Sequence, residues 1–83
     1  MKLRMYAIQD SLSGFMTPVV EQSDPVAVRN FRMACDSANG SSTLMTWIPT
    51  DFSFYHIADY DSDTGIVTPV VPIELICRGE KNA

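Results

Sequence analysis

One segment of this 83-residue chain carries both a start and a stop signal for a helix, and most of what surrounds it is β-prone. In "SDPVAVRNFRMACDSANG", Asp24 can cap the free amides of a first turn and Pro25 brings a preset φ to the first helical position. Asn39-Gly40 offers a left-handed stop. Val28, Phe31, Cys35 and Ala38 recur at helical spacing toward a core, while Arg29, Arg32 and Asp36 fall on the other side. A single helix with one apolar stripe must bury that stripe against another layer, so the flanking segments have to supply a sheet.

Those segments read as strands. "KLRMYAIQD" alternates Leu3, Met5 and Ala7 with Arg4, Tyr6 and Ile8, which predicts a strand over Lys2 to Gln9 with both faces partly covered. "SLSGFMTPVVEQS" is an ordered connection anchored by Phe15, Val19 and Val20. "TLMTWI", Thr43 to Ile48, is a short β-prone run stopped by Pro49. "DFSFYHIADY" predicts an aromatic-rich strand over Phe52 to Tyr60, and "GIVTPVV" a further strand over Ile66 to Val71, with Pro69 marking an edge or a bulge. Residues 72–79 have no decisive period, so helix and strand both stay open there. The expected fold is α+β in the order β-α-β-β, a small mostly antiparallel sheet with one main helix packed on it, built as a single globular domain over residues 1–83.

Ten Asp and Glu against six Lys and Arg give a net charge of −4, which argues against strong nonspecific DNA binding, since that affinity comes from cations that release counterions from phosphate. Lys2, Arg4, Arg29 and Arg32 nevertheless all lie in the first half, so one basic face is conceivable. Cys35 and Cys77 have neither metal-ligand nor secreted-scaffold spacing and read as two buried, reduced thiols. No apolar run approaches the ~18 residues of a membrane helix. A core this small is marginal, which makes self-association the default expectation.

The acidic stretch "DYDSDTG" resembles a calcium loop at first sight. Counted from Asp59, however, position 6 is Thr64 rather than glycine and position 12 is Val70 rather than glutamate. Asp residues and a glycine between two β-prone runs instead suit a hairpin turn, and no metal is expected. His56 is the only histidine. By simple alternation it shares a strand face with Phe52, Phe54, Ala58 and Tyr60, leaving Ser53, Tyr55, Ile57 and Asp59 on the other. Catalysis would want a second group held beside it; Asp59 or a thiol is conceivable, but no sequence signature links them to His56, so no catalytic residue and no cofactor are assigned. Phe52, Phe54 and Tyr55 are candidates for stacking on bases, weighed against core packing as the plainer role.

Taken in order, "MKLRMYAIQDS", Phe15 and Pro18, "DPVAVRNF" and "DFSFYHIADYDSDTG" resemble the small nonstructural protein of gokushoviruses, single-stranded DNA bacteriophages of the Microviridae. The chain departs from that pattern at Ala58, where the family usually has glycine, and in a somewhat long segment from Ser41 to Thr50. The resemblance implies a non-enzymatic, non-capsid protein of the host bacterial cytoplasm, absent from the mature virion. It would act in viral DNA replication, single-strand synthesis or packaging, by contacting single-stranded DNA weakly or by binding viral or host replication and packaging proteins. The phosphate contacts expected are Arg29 and Arg32, joined by Lys2 and Arg4 if the first strand lies beside the helix. The alternative is a scaffold-like or host-factor-binding protein with no direct DNA contact.

Overall fold

In the computed structural model, which describes residues 1–36 and 43–80, the alternating segment at the chain start forms β1, Lys2–Asp10. The aromatic run forms β4, Phe52–Asp61, antiparallel to it. On the outer side of β1 lie two short strands, β2, Gly14–Phe15, opposite Gln9 and Asp10, and β3, Val19–Glu21, opposite Arg4 to Tyr6. β5, Val67–Arg78, pairs with β4 and forms the other edge. α1, Asp24–Cys35, and the one-turn α2, Leu44–Trp47, supply Ala27, Phe31, Cys35 and Met45 to a cluster with Tyr6, Phe52 and Phe54. The fold is α+β, a five-stranded antiparallel sheet with one main helix.

Phe54 sits between two rings, 5.0 Å from Tyr6 and 5.0 Å from Phe31 between centroids, each nearly parallel to it. This stack joins both central strands to α1. Val28 is only half-buried, and Ala27 takes the deeper position, because a small residue allows the helix to approach the sheet. Ala38 and the Asn39-Gly40 stop lie outside the described residues.

Three stretches go beyond or against the sequence expectation. The run Thr43 to Ile48 is not a strand: the Thr43 hydroxyl accepts from the Thr46 amide, and the Thr46 hydroxyl accepts from the Thr43 amide at 3.0 Å. This reciprocal cap starts α2, and burial of Met45 holds it on the core. Of residues 72–79 all but Gly79 are strand, since β5 runs on through Pro69 and Pro72 to Arg78, accommodating them with two register irregularities against β4. The stretch read as a connection contains β2 and β3. At the end of β5, Gly79 donates to the Phe52 carbonyl at 2.8 Å and passes so close to Pro49 that a Cβ would lie 1.9 Å from its carbonyl oxygen.

The register of β4 against β1 decides what each sheet face carries. Lys2 to Met5 pair with Asp61 to Ala58, but Tyr6 pairs with His56, so Ile57 is an extra, bulged residue. Cross-strand partners share a face. Lys2, Arg4, Tyr6 and Ile8 therefore lie with Asp61, Asp59, His56 and Phe54 on the helix side, while Leu3, Met5 and Ala7 lie with Tyr60, Ala58 and Tyr55 on the other. Strict alternation puts Asp59 opposite His56 in the sheet; the bulge brings it round to the same side.

Candidate functional site

That half-turn assembles a polar cluster on the helix side. Arg4 Nη2 lies 3.0 Å from His56 Nδ1, and His56 Nε2 lies 2.9 Å from Asp59 Oδ1. A guanidinium can only donate. Nδ1 is therefore the acceptor, and the ring proton of a neutral His56 sits on Nε2, facing Asp59. The ring is 4% exposed and both nitrogens are engaged.

Two more carboxylates complete the cluster. Asp24, at the first turn of α1, places Oδ1 2.8 Å from Arg4 Nε, close in distance but not aligned as a hydrogen bond. The Tyr6 hydroxyl donates to the same oxygen. Asp24 is thus drawn to Tyr6 and Arg4 rather than to the free amides of the helix, and the N-cap position itself is Ser23, with no side-chain cap. Glu74 of β5, in register with His56, reaches Arg4 Nη2 at 3.5 Å. Burial, followed by the hydrogen bond to Asp24, pushes the Tyr6 phenol up to about 12.

The four expected cationic contacts separate into two groups. Arg4 is neutralised by Asp24 and Glu74. Lys2 is exposed but stands opposite Asp61 and beside a small cleft also lined by Asp59 and Asp61. Arg29 and Arg32 are both exposed on α1. Arg32 shares a cleft at the C-terminal end of α1 with Arg78, a cation at the end of β5 that sequence reading did not single out. No sequence spacing links residues 32 and 78; only the antiparallel return of β5 brings them together.

The candidate stacking residues also divide. Phe52 and Phe54, 4% and 2% exposed, are core residues, and no base could reach them without unfolding the cluster. Tyr55, one residue along, points to the opposite face, where Phe15 meets it edge-on at 5.7 Å. The acidic stretch closes the β4 to β5 hairpin. Gly65 adopts φ +77°, its amide donates to the Asp61 carbonyl at 2.7 Å, and the Asp63 amide donates to the Asp61 carboxylate at 2.9 Å. Cys35 is buried, Cys77 is half-buried, and both are free thiols pushed up chiefly by burial. Among the described residues no helix is long and apolar enough to cross a membrane.

The sequence matches the family model described as Phage ORF5 protein over residues 3–82. No curated protein and no solved structure matches it.

Proposed function

Because the chain belongs to the Phage ORF5 protein family, we propose that it is a nonstructural accessory protein of a gokushovirus-like single-stranded DNA phage, one of the Microviridae. In this reading it works in the host bacterial cytoplasm, outside the mature virion, during viral DNA replication, single-strand synthesis or packaging. Contact with single-stranded DNA is weak and local, and a viral or host replication protein supplies the rest of the binding energy. The observation that supports this most is the exposed pair Arg29 and Arg32 on α1, extended by Arg78 at the shared cleft. Arg4 contributes little, because its charge is already offset by Asp24 and Glu74.

The reading is non-enzymatic. His56, the residue best suited to proton transfer, is buried and held at both nitrogens by Arg4 and Asp59, so neither nitrogen is offered to a substrate.

Fluorescence anisotropy on a labelled single strand across a salt series tests the proposal. Neutralising about three phosphates gives a log-log salt slope near −2 and weak affinity at physiological salt. Substituting Arg29→Glu and Arg32→Glu together should abolish binding and leave the circular dichroism unchanged, since both side chains are exposed. Tight binding that survives the double substitution would overturn the cationic ridge. No binding at low salt would move the function to protein contacts alone.

A further inference from the structure

We infer that the helix-free face of the sheet is a docking surface for a second copy of this chain. Both helices pack on the other side, where the core cluster is. Met5, Phe15, Val20, Tyr55, Tyr60 and Leu75 fall on the helix-free face by register. Phe15 is 50% exposed and Leu75 42% exposed. Ala7 and Ala58 are buried yet stand outside the helix-side cluster, because they are small residues sunk between larger neighbours on this second face.

Charge selects the occupant. Lys2, Arg4, Asp10, Glu21, Asp59, Asp61 and Glu74 all take helix-side register positions. Along the open face the paired rows carry no charged residue short of the last rung, where Arg78 stands opposite Ser53 at the strand end and also lines the cleft it shares with Arg32. A nucleic acid would find aromatic rings there but almost no cations to hold its phosphates. Two copies of a chain with net charge −4 repel, and this is the face on which they can meet without bringing carboxylates together.

Size and closure agree with a dimer. The two larger principal extents, 41 and 24 Å, bound the face at on the order of 1,000 Å², against ~800 Å² per partner in a standard interface. Edge-to-edge growth is discouraged, since the edge strand β5 carries Pro69 and Pro72 and departs twice from regular register where it pairs with β4. Face-to-face packing of two sheets buries the same patch on both copies and closes as a two-fold dimer.

Analytical ultracentrifugation across a concentration series tests this on the full chain. The expected result is a monomer–dimer equilibrium whose dissociation constant rises at least ~100-fold in Leu75→Glu and in Tyr55→Glu, since each buries an unpaired charge in the interface. The Arg29→Glu and Arg32→Glu double variant should dimerise as the parent does, which separates this surface from the DNA-contacting ridge. If the glutamate variants unfold, isotope-filtered NOEs on a mixed-labelled parent protein decide, with Met5 and Leu75 methyls expected to contact Tyr55 or Tyr60 of the other copy. A parent protein that stays monomeric at high micromolar concentration overturns the inference. So do glutamate variants that dimerise unchanged, an absence of intermolecular NOEs, or a dimer that single-stranded DNA dissolves by occupying Tyr55.

Discussion

The two faces of the sheet are made from the same strands and behave as different materials. On the helix side a stacked aromatic core grades into a polar cluster, in which Arg4, Tyr6, Asp24, His56, Asp59 and Glu74 answer one another. On the other side the rows are apolar and nearly uncharged, and neither helix covers them. Only one residue, Ile57, separates this arrangement from one with Asp59 pointing away from His56. A bulge here sorts charge: it keeps Asp59 on the side that has a guanidinium and an imidazole to receive it, and gives Ala58 and Tyr60 to the side that has none.

The strongest way to break the comparison is to change strand length. Deleting Tyr55, where the ladder between β1 and β4 is regular, turns one end of β4 over against β1 and exchanges Phe54 or His56 with residues of the open face. Loss of cooperative thermal unfolding is expected. Deleting Ile57 removes the extra residue and leaves every other residue on its present face, so the fold should survive with a loss of about 0.5–3 kcal/mol, the usual range for a single change. Equal damage from both deletions would show that the bulge does not sort the faces.

A smaller effect sharpens the helix side. Arg4→Met removes the donor to His56 Nδ1 and leaves a buried acceptor unsatisfied, with an expected cost of about 1–3 kcal/mol in chemical denaturation. Nitrogen chemical shifts of the ring should show the Nε2-protonated tautomer in the parent protein. The same cluster carries a signature at high pH. Tyr6, raised to about 12 when folded, ionises more readily in the unfolded chain, so its contribution is fully present below pH 10 and fades as the pH rises toward 12. A phenol absorbance step near 12 that Tyr6→Phe removes checks this.

The smallest effect is at the end of the charged row. The Asp63 amide holds the Asp61 carboxyl below its ordinary value of 3.8, so the turn's contribution is present above that pH and is lost as acid protonates the group. Asp61→Asn should shift the acid-unfolding midpoint slightly upward. Millimolar calcium should leave the melting temperature unchanged, and a calcium stabilisation of several degrees that Asp61→Asn abolishes would defeat the hairpin reading.

Periodicity and turn chemistry determined much of this protein from the sequence alone. Alternation in "KLRMYAIQD" and "DFSFYHIADY" located β1 and β4, Pro25 and the spacing of Phe31 and Cys35 located α1, and the Asp-rich stretch before Gly65 located the hairpin. Each of these signals lies within a few residues of the element it specifies. Exposure of Arg29 and Arg32 was legible for the same reason, as the outer side of an amphipathic helix. Tertiary structure decided the rest. The side of the sheet on which Asp59 stands depends on how β4 counts against β1, some 50 residues away, and a bulge has no local period to betray it. Asp24 lost its capping role to Arg4 and Tyr6, partners that only the packing of α1 across β1 supplies. Arg78 met Arg32 through the return of β5, and Phe54 and Tyr55, neighbours in an aromatic run, went to opposite fates because one side of the sheet received a helix and the other did not. Local interactions select an element's type, but which surfaces are covered follows from long-range register and packing, which no short window of sequence contains.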